Sequence, residues 1–313
     1  MSAPLFARQA EWVWRPERSN MAMLRLMTWI SLRLGRRLAR ALLLGISLYF
    51  LIFAPAARQA SLTYLRRALG REPRFTDLIR HFHSFASCTH DRIYLLNDRF
   101  DLFDIQVHGA AVLETELAAG RGAFLIGAHL GSFEVVRALS RQRPSLRVAM
   151  AMYENNARKI NAALAAINPL SKQDIIPLGQ LDSMLQAQAC LDKGMILGVL
   201  ADRTLNGDPS LMVQFLGEAT AFPLGPMRLA AILKRPVLFM TGLYLGGNRY
   251  AIHFETLVDF TDIKREERDG ASRRAVSAYA ACLERYCRVY PFNWFNFHDF
   301  WRLPLNSANG EAS

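Results

Sequence analysis

RGAFLIGAHLGSFEVVRA, residues 121–138, decides how the chain folds. Ala123, Phe124, Leu125 and Ile126 form a short uncharged run, which predicts a strand buried on both faces. Gly127 and Gly131 break that run. Ser132 is then placed to cap a helix carrying Val135, Val136 and Leu139. His129 stands between the two elements, with Glu134 five residues on. In open α/β sheets, chemistry is done where a strand's carboxyl end faces the start of a helix. His129 is therefore expected to take a proton from a substrate hydroxyl or amine while Glu134 holds the imidazolium. A purely structural account also fits: Ser132 as N-cap and Glu134 as a first-turn acid complementing the helix dipole.

Downstream, the pattern repeats. Leu146–Tyr153, Asp174–Leu178 and Met195–Leu200 read as strands, and Asn155–Asn168 and Asp182–Lys193 as helices between them. This is βαβ spacing, so the expected fold class is α/β: a mostly parallel central sheet flanked by helices. The strand at Met195–Leu200 runs into Asp202-Arg203 and a loop with Gly207 and Pro209. Those two charged residues should share the sheet edge of His129, where the guanidinium grips a phosphate or carboxylate. A salt bridge within the loop is the alternative. Met212–Leu216 suggests a strand, followed by a helix begun by Pro223 or Pro226. Pro236–Leu245 and Arg249–Thr256 form a hairpin candidate around Gly246-Gly247-Asn248. Ser272–Val289 is an amphipathic helix. The aromatic stretch Pro291–Trp301 reads as an interfacial belt or as a lid over the core.

The front of the chain differs in kind. Residues 1–70 hold eleven Arg and two Glu, so most of the net charge of +11 lies there. Trp12 and Trp14 suit a membrane–water boundary. From Met21 to Ala57 the chain is apolar, interrupted only by Arg. On a single helix, Arg25, Arg33, Arg36, Arg37, Arg40 and Arg58 fall within an arc of about 120°. That predicts an N-terminal membrane-embedded helix lying in an anionic lipid surface rather than a nucleic-acid partner. The uncharged stretch Ala41–Ala57 reads nearly as well as a single span, although it would reach only ~25 Å against a hydrocarbon core of ~30 Å; a core helix of a soluble protein fits less well, because such helices rarely carry this much Arg beside this much Leu. The expected division is a membrane-anchoring segment over 1–70 and an α/β domain over 71–313. Ser61–Gly70 and Phe75–Asn97 read as helices. The four Cys at 88, 190, 282 and 287 have no paired or metal-ligand spacing and read as reduced thiols. His81 and His83 form an HxH with His90 near, but no strand pattern surrounds them, so metal binding is not expected.

Taken together, the Arg/Leu-rich front, GAHLGSFE behind a strand, ADR behind a later strand and the opening EWVWRPERSN…WISLRLGRR resemble the lysophospholipid acyltransferase superfamily. The likeness is to its branch of lauroyl/myristoyl acyltransferases of lipid A biosynthesis, and it spans roughly residues 10–303. His129 and Glu134 match that family's His-x4-Asp/Glu element. The resemblance implies an enzyme of the inner (cytoplasmic) membrane, with its catalytic domain on the cytoplasmic face. It would move a fatty acyl chain from an acyl-carrier-protein or coenzyme A thioester to a hydroxyl or amine of a glycolipid or other lipid acceptor. No cofactor or metal is implied beyond that thioester co-substrate. It also implies that Arg203, with Asp202 and Ser132 beside it, contacts the acceptor. The chain departs from the pattern near its end, with NWFNFHDFW in place of a basic HRRFK-like segment. That departure turns the expected acceptor from lipid A toward another lipid.

For such a reaction His129 is the expected general base, with Glu134 fixing its tautomer. Backbone N–H groups of Gly131–Phe133 are expected to steady the oxyanion. Ser132 lacks a G-x-S-x-G setting, so transfer without an acyl-enzyme is expected. Two other readings stay open: a thioesterase or lipid hydrolase using the same dyad, and a non-catalytic membrane-associated lipid-binding protein.

Overall fold

The computed structural model of the chain describes residues 21–142, 146–153, 162–168, 174–178, 182–204 and 208–301. Trp12, Trp14, Gly207, the first half of the helix expected over Asn155–Asn168 and the tail from Asn306 lie outside them. The front of the chain forms α1 (Met21–Leu34), α2 (Arg36–Phe53) and α3 (Pro55–Leu69), followed by α4 (Phe75–Leu96). The single long amphipathic helix expected over Met21–Ala57 is therefore broken twice. Gly35 takes the left-handed φ of 81°, and Ala54 precedes Pro55, which cannot continue the hydrogen-bond ladder. Among the described residues no single helix is long and apolar enough to cross a membrane. α2 and α3 reach that length only together, and they are bent by 97°.

The break also changes what the arginines do. Arg36 donates two hydrogen bonds to the buried Asp91 carboxylate, at 2.8 and 2.7 Å, and both Arg36 and Arg40 donate to the Gly247 carbonyl. Tyr250 donates to the same carboxylate at 2.8 Å. These two arginines thus clamp α2 onto α4 and onto a hairpin tip, and do not face lipid headgroups as the helical wheel suggested. Ala39, Leu43, Ser47 and Leu51 form the buried face of α2. Leu38, Leu42, Tyr49, Ile52 and Phe53 point outward and stay exposed. α2 thus turns two of its three arginines inward, leaves Arg37 exposed, and carries apolar side chains on its outward side as well as on its buried face. Farther on, Tyr64 and Leu65 of α3 belong to the same apolar cluster as the sheet.

The centre is a seven-stranded sheet in the order β1 (Asp104–His108), β9 (Arg249–Asp259), β8 (Pro236–Gly246), β2 (Ala123–Gly127), β5 (Ile196–Leu200), β3 (Val148–Tyr153), β4 (Ile175–Leu178). Every neighbouring pair is parallel except β8 and β9, which form the expected hairpin. β2 lies between β8 and β5, with all five residues buried. Phe124 and Ile126 face one apolar layer; Ala123 and Leu125 face the other. The run has no polar face because both faces are covered.

One layer is completed by α7 (Ser183–Asp192), α8 (Gly225–Ile232) and α9 (Arg268–Val289), the other by α5 (Ala110–Ala119) and α6 (Phe133–Gln142). α4 contributes Leu78 and Phe82 to the first and Cys88 and Leu95 to the second. Two elements were not legible in the sequence, α5 and β7 (Glu218–Pro223); the strand expected over Met212–Leu216 is β6 (Ser210–Phe215). α5 sits between left-handed Gly109 and Gly120. The small hairpin of β6 and β7 turns through Leu216 and Gly217, both at positive φ. A Leu in that conformation is not a turn signal.

Candidate active site

β2 ends at Gly127, whose carbonyl accepts from the Ala201 N–H at 3.0 Å and the Tyr279 hydroxyl at 2.9 Å. The following turn is held from two sides. On the β8 side, Thr241 donates to the Leu130 carbonyl at 2.9 Å, and Ser132 N–H donates to the Gly242 carbonyl at 2.7 Å. On the other side, Phe295 N–H donates to the His129 carbonyl and Gly131 N–H to the Asn293 carbonyl, both at 2.7 Å. Gly131 has φ 75°, and a Cβ there would collide with the Gly242 carbonyl oxygen, so this close approach requires glycine. One expectation is narrowed here. Of the three N–H groups expected to steady an oxyanion, those of Gly131 and Ser132 are already donated to carbonyls, which leaves that of Phe133.

His129 is presented at the top of this turn. Its Nδ1 lies 2.8 Å from Asp202 Oδ1, and its backbone N–H donates to Asp202 Oδ2 at 3.0 Å. The indole N–H of Trp294 donates to the same Oδ2, also at 3.0 Å. Asp202 is 1% exposed. Burial by itself would raise its pKa, but the His129 ring, Arg203 and the His129 N–H outweigh burial and hold it below the ordinary 3.8. An ionised carboxylate only accepts, so the hydrogen-bond network assigns the ring proton to Nδ1 and leaves a lone pair on Nε2. The imidazole is itself pressed below its ordinary pKa of 6.5, first by burial and next by Arg203, against the opposing pull of Asp202. It is a neutral base with its second nitrogen fixed by an anion.

The partner differs from the one expected. Glu134 is buried, and among the described residues its ion-pair partners are Arg92 at 3.5 Å and Arg137 at 3.4 Å. The reason lies in strand register. β2 and β5 run parallel with Gly127 opposite Leu200, so the residues two beyond each, His129 and Asp202, emerge side by side. The turn at Gly131 meanwhile carries Glu134 into the first turn of α6. Asp202 is likewise corrected from substrate contact to buried partner, because both its oxygens are occupied within the protein.

His129 is 31% exposed and opens onto a cleft of about 430 Å³. Its walls are Phe85, Phe133, Leu200, Phe295 and Phe297, and Ser132, Arg203, Arg92 and His298 supply polar groups. Ser132 and Arg203 thus stand in the same cleft as His129. A mainly apolar cleft with a few convergent polar groups is the usual form of a site for a ligand with an apolar part.

Trp294 is the residue the sequence reading missed. It lies in the aromatic stretch, which acts as a lid over the core: Trp294 is fully buried and Trp301 nearly so. His81 positions it. The ring Nε2–H of His81 donates to the Trp294 carbonyl at 2.9 Å, and Ser61 donates to its Nδ1 at 2.7 Å. Burial lowers the pKa of His81 to about 4, keeping the ring neutral in this role. Asn293 adds a strand-like pair of bonds to the Tyr244 backbone. A Trp within a run of aromatics carries no sequence signal for such a contact.

The family model for bacterial lipid A biosynthesis acyltransferases matches residues 21–303 of the chain. No curated protein matches it.

Proposed function

The chain belongs to the bacterial lipid A biosynthesis acyltransferase family, and from that premise we propose that it transfers a fatty acyl chain from an acyl-carrier-protein or coenzyme A thioester to a hydroxyl or amine of a lipid acceptor. The observation that carries this reading is the His129–Asp202 pair opening onto an apolar-walled cleft. His129 Nε2 takes the proton as the acceptor oxygen or nitrogen attacks the thioester carbonyl. The thiolate leaves and is reprotonated by the imidazolium, which Asp202 stabilises meanwhile. Arg203 lines the same cleft and its charge acts on this pair, and it is suited to the charge that develops on the carbonyl oxygen. Glu134 acts one step removed, through the arginines it holds.

The outward apolar side of α2 supports association with a lipid surface, with exposed Arg25, Arg33 and Arg37 suited to anionic headgroups. An embedded rather than spanning mode fits the bend between α2 and α3. The catalytic cleft then works beside the inner membrane on the cytoplasmic side, where acyl thioesters are made.

The test is direct. Purified protein is given a radiolabelled acyl thioester and a bacterial lipid extract, and the products are resolved by mass spectrometry. An acylated lipid that forms only with active protein is expected. Rapid release of free fatty acid with no acceptor present would instead make the protein a hydrolase.

Two further outcomes follow from the geometry. The acid limb of the kcat/KM profile is expected below pH 6.5, because only the neutral imidazole accepts a proton and its pKa is depressed. Arg203→Gln removes a cation that disfavours protonation of His129, so this limb should move to higher pH. Trp294→Phe removes one of three donors to a buried carboxylate at a cost of about 1–3 kcal/mol. It is expected to lower kcat about tenfold to a hundredfold with little change in KM. Initial rates over a range of thioester and acceptor concentrations, repeated across pH, measure kcat, KM and their ratio.

A further inference from the structure

Asn296 sits in the aromatic segment with nothing to bond. It is 1% exposed, and neither its amide nitrogen nor its amide oxygen has a hydrogen-bond partner among the described residues. A buried amide unmet at both ends destabilises the fold, and an apolar side chain of similar size would not. Its place ties it to the site. Phe295 N–H donates to the His129 carbonyl at 2.7 Å, and Trp294 bridges Leu130 antiparallel, so the segment runs back along the His129 turn. Phe295 and Phe297 both pack against Phe85 and His81. Trp294 turns to the other side, toward Asp202. Side chains alternate along an extended segment, which puts Asn296 on the side of Trp294. Phe295, Phe297 and His298 line the cleft, and Phe297 and His298 are only partly buried.

We propose that Asn296 binds the acyl donor, pairing with the peptide-like amides of its pantetheine arm once a change of rotamer at Phe297 or His298 opens the cleft to it. The inference rests on the acyl-transfer reading above. The same segment displays the mode of contact: the Asn293 amide accepts from the Tyr244 N–H at 2.7 Å and donates to the Tyr244 carbonyl at 3.1 Å. A pantetheine arm offers the same N–H and carbonyl in its β-alanine unit, and carrier-protein and coenzyme A donors share that arm. An oxyanion, by contrast, would engage only the amide N–H groups and leave the oxygen of Asn296 unmet. The first amide follows the thioester sulfur after two methylene groups. A thioester held at His129 therefore brings the arm beside Asn296, whose chain neighbour Phe295 bonds the His129 carbonyl.

The experiment titrates the full chain in neutral detergent micelles with three uncharged, unreactive probes. S-dodecylpantetheine has two amides, S-dodecyl-N-acetylcysteamine has one and dodecyl ethyl sulfide has none. Affinity is read by calorimetry. Wild type is expected to bind the first about tenfold more tightly than the last, with the second between them. Asn296→Leu should bind all three as wild type binds the sulfide, while its unliganded thermal midpoint rises by a few degrees. Asn296→Gln should recover part of the preference, since both amide groups return. Equal affinity of wild type for the three probes overturns the proposal. So does a preference that survives in Asn296→Leu; a lower midpoint in that variant would then assign the amide to the fold alone. His129→Ala separates this from the catalytic reading: it should lose transfer and keep the order of the three affinities.

Discussion

His129→Ala is expected to lower acyl transfer by roughly 10³- to 10⁴-fold, the range that removal of a positioned general base produces. The fold should survive. The His129 backbone N–H and carbonyl, which bond to Asp202 and Phe295, stay in place when the ring is removed. The side chain is partly exposed, so its loss opens the cleft and leaves no sealed cavity. Far-ultraviolet circular dichroism and the thermal midpoint should stay near wild type while product formation disappears. Transfer at wild-type rates in this variant would remove the imidazole from the mechanism. The cleft would then need another base, and His298 is the other imidazole that lines it.

Asp202→Asn is expected to be nearly as damaging, for a reason the geometry makes explicit. Oδ2 of Asp202 accepts from two fixed donors, the His129 N–H and the Trp294 indole N–H. An asparagine must keep its carbonyl oxygen toward those donors, because an amide nitrogen there would meet two N–H groups. Its NH₂ is then presented to His129 Nδ1. The ring must accept at Nδ1 and carry its proton on Nε2, which makes it the wrong tautomer for a base. A loss of about 10³-fold or more in kcat is expected, with modest loss of stability. Asp202→Ala differs. It leaves the indole N–H and the peptide N–H buried without an acceptor, at about 1–3 kcal/mol for each. The alanine variant should therefore melt well below the asparagine one. ¹⁵N shifts of the His129 ring would report the tautomer directly. Near-normal turnover in Asp202→Asn would mean that the Nδ1 contact does not set the base.

Both outcomes depend on a contact across the sheet that linear reading could not supply. His129 and Glu134 lie five positions apart, and a motif seen along the chain invites pairing them. Asp202 is 73 residues away in sequence and reaches the ring because β2 and β5 are adjacent and in register. Trp294 is farther still.

The sequence by itself determined the class of the fold and the strand end at which the proposed site lies. A strand with no polar face needs cover on both sides, which a central position gives, and alternating strand and helix make that sheet mostly parallel. The same local logic put His129 and Arg203 at strand ends on one edge, because strand ends follow from where apolar runs stop. Tertiary structure alone decided which groups touch. It turned Arg36 and Arg40 inward to the buried Asp91, and placed Glu134 against two arginines. It also brought the indole of Trp294 to Asp202. Each of these contacts joins charged or polar groups that must find partners once buried, and those partners come from whichever strand or helix the topology puts alongside. Periodicity groups the residues that share a face of an element, and it carries no information about what that face will meet.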